Sequence, residues 1–416
     1  MAFKHGVYTS EVATSILPAR SVDSNVVFAV GTAAVDTLEE GATVYVNQPR
    51  QYNSYDEYVK EMGWDDDKWD KYSLQELVYS HFALYRGAPL VVVNVYDPKT
   101  HTSPDDVTSK DIIGGVDEKT GKLTGLELVD SVFPLFRLVV GSILAPRFCE
   151  DPAVAVVMAT KAKNINGLFN AIAIADIPCS GDTGVTNYTE VAAYKQNNNL
   201  TSERLIVCWP KVKLGDHVYG LATHITGLMS QTDYENDGVP YASVSNKQLQ
   251  ITSIGMPTAD GGWEELALGM DKVNTLNGEG IYSALNWDGG LRSWGGRMAC
   301  YPTNTDPKDC QEPIRRMFNW FQNTFILTYF QKVDYPLTRR LIKTIITSEQ
   351  IRIDGYTARG MLLGGSIEFS EDENPTTDLI DGIIRFHIRL TPPPAARDIE
   401  GTFEFDTDNL STLFSD

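Results

Sequence analysis

Open α/β sheets place their reactive groups at the carboxyl ends of strands, and Asp176 closes the apolar run 171–176 at such a position. There its carboxylate could act as an acid or base, or it could cap a helix or pair with a cation. A serine hydrolase needs a nucleophile elbow, Gly-x-Ser-x-Gly, or an ordered Asp, His and Ser set. Ser142 follows Gly141 inside a strand pattern, not at a turn. Of the six histidines only His217 and His224 fall in the strand-and-helix segment, and His224 lies mid-helix, where a packed imidazole is the plainer reading. A nucleotide site needs a Gly-rich turn between strand and helix. The pairs Gly114-Gly115, Gly289-Gly290 and Gly364-Gly365 do not stand in that context, and no Gly-Lys-Ser/Thr loop occurs. The five cysteines (Cys149, Cys179, Cys208, Cys300, Cys310) are scattered, with no Cys-x-x-Cys and no histidine at ligand spacing, and read as reduced buried thiols. No catalytic, cofactor-binding or metal-binding set emerges, so the chain reads as a protein that is not an enzyme. A hydrolase or nucleotide-binding enzyme on the α/β segment remains the alternative from that class.

The elements that would position such residues are legible. A helix pattern over 74–84, a glycine stop at Gly87 and the unalternating β-branched run 89–95 predict a strand covered on both faces. Strand patterns at 26–32, 138–144, 171–176 and 204–209 alternate with helix patterns beginning near Pro152 and spanning 189–195 and 219–230. This order predicts an open parallel sheet with helices on both faces. The polar stretch 97–136 is expected as a small β-rich insertion with a hairpin turning at Thr120-Gly121. Residues 286–396 form an expected α+β carboxyl-terminal domain. They start with a Trp- and Gly-rich turn and continue through helices over 313–331 and 337–350. The expected divisions are 1–20, 21–96, 97–136, 137–285, 286–396 and 397–416.

The chain has 416 residues, 35 basic against 55 acidic, and a formal net charge of −20. That balance argues against coating nucleic acid, which rests on concentrated Lys and Arg. No apolar run approaches the roughly 20 residues of a membrane helix, and the start lacks the apolar core of a secretory signal, so cytosolic synthesis and no direct membrane insertion are expected. Polarity reverses locally: residues 310–360 hold eight bases and four acids. Arg339, Arg340 and Lys343 lie within about one helical turn, with Arg339 and Lys343 on one face. They form either a solvated helix face or an electrostatic dock for an acidic partner.

The two ends have a character of their own. After Pro392, Pro393 and Pro394, the apolar residues Ile399, Phe403 and Phe405 alternate with acids. That is a strand pattern held off the domain by a stiff spacer, and such a strand is most stable when added to another sheet. Near the amino end Val7, Tyr8 and Val12 stand among polar residues, followed by Pro18. Two strand-like arms suggest a subunit that stitches itself to copies; frayed termini are the plainer alternative.

Several stretches together resemble phage tail sheath proteins. They are Phe3 to Tyr8, Tyr79 to Leu84, Ile112 to Asp117 with Thr120-Gly121 and Thr124 to Leu126, Leu144 to Pro146, Asn286 to Gly295, and Gly401 to Phe405. The resemblance is closest to the short sheaths of Mu-like contractile phages and related injection particles. It implies a subtilisin-like but non-proteolytic α/β core, and hexameric rings stacked around a tail tube. It also implies strand arms shared between copies, and contraction that drives the tube through an envelope. The implied partners are further copies, the tube protein, and baseplate and tail terminator proteins. The implied location is a virion tail assembled in the host bacterial cytoplasm. Arg339, Arg340 and Lys343 are the expected tube attachment. Another self-assembling shell or tube protein is the second alternative.

Overall fold

The computed structural model describes residues 22–414, apart from positions 25, 88, 119 and 182. Val7, Tyr8 and Val12 lie outside the described residues. Three strands, β1 (Val27–Gly31), β2 (Arg50–Tyr52) and β3 (Leu90–Asn94), begin the main sheet. β1 and β3 are buried throughout, as their β-branched runs without polar alternation require. Between β2 and β3 lie α1 (Tyr55–Met62) and α2 (Ser73–Val78), the latter continuing as a π-helical stretch over Tyr79–Leu84. Ser54 caps α1 by accepting from the amide of Glu57 at 3.3 Å. Gly63 ends it with a φ of 76°; a Cβ there would lie 2.1 Å from the carbonyl oxygen of Ala34, so only glycine fits.

The insertion holds α3 (Ser109–Ile113), the hairpin β4 (Gly115–Val116) and β5 (Leu123–Thr124), and α4 (Val132–Phe136). The sheet resumes with β6 (Ser142–Leu144), then α5 (Pro152–Lys161), β7 (Ile172–Asp176), α6 (Val191–Asn197) and β8 (Leu205–Cys208). Asp151 caps α5 through the Ala153 amide at 2.8 Å, and Pro152 takes the first helical position, where its missing N–H is no loss. A second, antiparallel sheet not among the expected elements follows. It is built from β9 (Lys211–Leu214), β10 (His217–Tyr219), β11 (Ser253–Pro257) and β12 (Trp263–Glu265), with α7 (Leu221–Glu235) between β10 and β11.

After α8 (Met270–Gly278), β13 (Ile281–Trp287) and β14 (Gly290–Trp294) form a hairpin. Asp288 and Gly289 turn it, both at positive φ, as a two-residue turn matching strand twist demands. The main sheet runs β14-β13-β8-β7-β6-β1-β3-β2, parallel from β13 to β3 and antiparallel at both edges. The Trp- and Gly-rich stretch expected as a turn between strands is the sheet's own edge hairpin, and the expected division at 285/286 therefore falls inside β13.

The remainder is α9 (Pro307–Cys310), α10 (Glu312–Tyr329), α11 (Arg339–Ala358), β15 (Gly364–Glu368), α12 (Thr376–Ile380) and β16 (His387–Thr391). One face of α10 joins the main core through Met317, Trp320 and Phe321. Beyond it Tyr329, Ile345 and Ile367 form a small satellite core under the antiparallel β15–β16 pair.

Candidate functional site

The residues that could do chemistry are in structural use. Asp176 does sit at the end of β7, but it is buried and its Oδ1 accepts from the amide of Ala222 at 2.8 Å in the first turn of α7. Burial pushes its carboxyl well above the ordinary carboxylate range. A Cβ at Gly220 would lie 2.2 Å from its Oδ2, so the contact needs glycine there. His224 is buried in mid-α7; its Nδ1 and the Tyr85 hydroxyl are hydrogen-bonded at 3.0 Å, and desolvation pushes the ring down to about 3. His217 stacks on Trp69 with ring centroids 4.1 Å apart. Ser142 is buried in β6, and all five cysteines are free and buried. Among the described residues no group of His, Cys, Asp and Glu is placed to hold a metal.

The local excess of bases between 310 and 360 divides in two. Arg315, Arg316, Arg352 and Arg359 pair within the chain. Arg315 meets Asp309 at 3.2 Å and Arg359 meets Asp237 at 3.2 Å. Arg316 joins Asp233 and Glu312, and Arg352 joins Glu349. The Arg316 network is buried and ties α10 to α7. Arg315, Arg316 and Arg352 are buried in these pairs and are withdrawn from the surface, whereas Arg359 is exposed in a surface pair.

Arg339, Arg340 and Lys343 are exposed and make no ion pair among the described residues. Thr338 caps α11 by accepting from the Leu341 amide at 3.2 Å, and the helix has no acid in its first turn. Two arginines at a helix N-terminus oppose the macrodipole by roughly 0.3–1 kcal/mol each. The turn preceding them exposes Phe330, Val333 and Tyr335, with Lys332 over the Tyr335 ring at 4.5 Å. Basic and apolar residues thus share one corner of the carboxyl-terminal unit, a composition suited to binding and poor for a free surface.

The carboxyl arm stands clear of the fold. Ile399, Phe403 and Phe405 are 87%, 99% and 76% exposed, and residues 398–406 are in no strand. The expected strand is therefore without a partner in the single chain, as its proline spacer implies. Just before it lies the β15–β16 pair, whose two edges differ. Gln350 covers the outer edge of β15, donating to the Gly365 carbonyl and accepting from the Ile367 amide, both at 3.2 Å. In an antiparallel ladder, outward-facing residues on one strand oppose outward-facing residues on the other. Gly365 and Ile367 oppose Leu390 and Ile388, so these present their backbone groups along the uncovered edge of β16. This pair is not among the expected elements, although the alternation of Ile384, Phe386, Ile388 and Leu390 with Arg385, His387 and Arg389 signals it.

No protein-family model matches the chain. The tail sheath protein of Burkholderia phage BcepMu is 27% identical over 326 residues, which are 75% of this chain and 65% of that protein. A prophage major tail sheath protein of Pseudomonas aeruginosa is 25% identical over 407 residues, 95% of each chain. Among solved structures, the contracted sheath of the PVC extracellular contractile injection system superposes with a TM-score of 0.66 at 16% identity, covering 98% of this chain and 99% of that one. At that identity the structural likeness is one of fold. The chain is similar to phage tail sheath proteins over nearly its whole length, and the names these relatives carry are those of structural tail proteins, not of enzymes.

Proposed function

We propose that this chain is the structural subunit of a contractile tail sheath, stacking as hexameric rings around a tail tube and contracting to drive that tube through a target cell envelope. The observation that carries the reading is the carboxyl arm, in no strand of the single chain, with Ile399, Phe403 and Phe405 exposed after a two-stranded sheet that has one open edge. An isolated edge strand is a liability unless a partner covers it. Donated to the sheet of a neighbouring copy, the arm gains backbone hydrogen bonds worth about 0.5–1.5 kcal/mol each. A mesh of such bonds persists while the bodies rotate. The amino arm with Val7, Tyr8 and Val12 serves the same mesh in this reading, and the core is the subtilisin-like, non-proteolytic domain of the sheath fold.

Arg339, Arg340 and Lys343 meet the tube protein. Each exposed contact is worth roughly 0–1 kcal/mol, weak enough to be released as subunits move outward. Baseplate and tail terminator proteins close the two ends of the polymer. The particle is a virion tail or a phage-like injection particle, assembled in the host bacterial cytoplasm. The chain needs neither nucleic acid nor membrane insertion; no helix among the described residues is long and apolar enough to cross a membrane.

Removal of residues 398–416 tests this. The shortened chain is expected to stay folded and soluble, with the melting temperature of the full chain, and to form no tubes where the full chain does. Regular tubes from the shortened chain would remove the arm from the account.

A further inference from the structure

Two buried arginines repel each other where β8 meets α10. Arg204, the residue before β8, is 7% exposed. Its Nη1 donates to Asn319 Oδ1 of α10 at 3.0 Å, while Nε has no hydrogen-bond partner and only Glu203 Oε1 at 4.0 Å. Arg315, one turn before Asn319 on α10, is buried against Asp309 and also leaves its Nε without a hydrogen bond. Burial, and then the Arg315 charge, push Arg204 down to about 10 from an ordinary value of 12.5. Buried cations are normally matched by buried anions. The acid nearest Arg204 is Glu203, whose side chain is 40% exposed to water.

Arg204 also borders a cavity of about 240 Å³ between α5 and β8. Thr160 and Lys163 line it from the end of α5, and Asn199, Ser202 and Glu203 from the loop before β8. Lys163 is exposed and makes no ion pair among the described residues. We propose that this cavity is a binding site for a small oxyanion of the phosphate class, held between the Arg204 guanidinium and the Lys163 ammonium.

The donors suit an anion with several acceptor oxygens. A guanidinium presents its N–H groups in a planar fork that matches two oxygens, and a lysine brings a point charge on a flexible stem. Ser202 Oγ accepts from the Arg204 amide at 3.1 Å, which leaves its own hydroxyl hydrogen free to donate. Thr160 takes no part, because its hydroxyl is given to the Val156 carbonyl at 2.9 Å. Glu203 is the competitor within the chain, since it approaches the same guanidinium and must turn to water when the anion enters. A bound oxyanion offsets the charge of Arg204. Through Asn319, which also donates to the Ala171 carbonyl at 3.1 Å, it strengthens the seam between the parallel sheet and α10.

The inference goes beyond the sheath reading and does not depend on assembly. Its test is calorimetric titration of the purified full-length chain with inorganic phosphate, in chloride buffer at constant ionic strength. One saturable site in the millimolar range is expected, with a melting temperature that rises as phosphate is added. Acetate, with one carboxylate, should bind at least tenfold more weakly. Lys163→Glu should weaken phosphate binding at least tenfold and Glu203→Gln should strengthen it. Lys60→Glu, the same charge change on the exposed face of α1, should leave it unaltered. No saturable binding, equal binding of acetate, equal affinity in Lys163→Glu and Lys60→Glu, or weaker binding by Glu203→Gln would each overturn the inference and leave the sheath reading intact.

Discussion

Trp320 donates its indole Nε1–H to the carbonyl oxygen of Val22 at 2.8 Å, joining α10 to a residue 298 positions away. The Val22 amide donates to Thr324 Oγ1 at 3.4 Å, and Ser24 donates to Asp233 Oδ2 at 2.7 Å. Residues 22–24 are thus fastened to both α10 and α7. Trp320→Phe keeps the ring packing but leaves the buried carbonyl of Val22 without this donor, which costs about 1–3 kcal/mol. The expected result is a lower denaturant midpoint with an unchanged slope, together with faster proteolysis before β1.

Charge reversal at the start of α11 should separate stability from binding. Arg339→Glu with Arg340→Glu places acids where the helix dipole favours them, and the free chain should gain roughly 0.3–1 kcal/mol for each. Adding Lys343→Glu should abolish co-assembly with the tube protein and spare self-polymerisation. Equal co-assembly of the triple variant and the unmodified chain, measured by co-sedimentation, would make this corner a merely solvated surface.

Arg316 is the inverse case, a cation that binds nothing outside the chain. It is buried between Asp233 and Glu312, and Arg316→Met strands two carboxylates in the core. Breaking such a buried set costs about 3–5 kcal/mol, so this single change should unfold a large fraction of the chain at 37 °C as followed by circular dichroism.

Acid should destabilise the fold through its buried imidazoles. Burial pushes His224 down to about 3 and His81 to about 4, against roughly 6.5 in an unfolded chain. Because the folded values are depressed, their contribution is full above pH 6.5 and is lost as pH falls toward the folded values, at up to about 1.4 kcal/mol per unit for each group. His224→Gln should flatten the fall of the denaturant midpoint between pH 6.5 and 4.

Asp176 should tolerate replacement that keeps its acceptor. Asp176→Asn preserves the oxygen that accepts from the Ala222 amide and removes a carboxyl whose charge burial disfavours, so melting temperature and tube formation should match the unmodified chain. A hydrolase activity present in the full chain and lost in Asp176→Asn or His224→Ala would return the α/β core to the enzymes.

The parallel sheet was legible in the sequence because its strands are buried on both faces, and runs such as 89–95 and 171–176 carry no competing period. The carboxyl arm was marked in the sequence by Phe403 and Phe405 alternating with acids beyond a proline spacer, and in the single chain these residues are exposed and in no strand. The antiparallel sheet of β9 to β12 was not, since its strands are three to five residues long and mix polar with apolar positions. The basic corner was only half legible. Composition counts Arg316 and Arg340 alike, and only the fold separates a cation buried against Asp233 from one in water. Gln350 covers the outer edge of β15, a contact that no local pattern encodes.

The most direct test of the central claim is negative-stain electron microscopy of the purified chain, alone and co-expressed with the tail-tube protein from the same source. Striated hollow cylinders with six-fold end views are the predicted result, wide and coreless for the chain alone and narrower around a tube when it is present. Dispersed compact particles under both conditions would contradict the account.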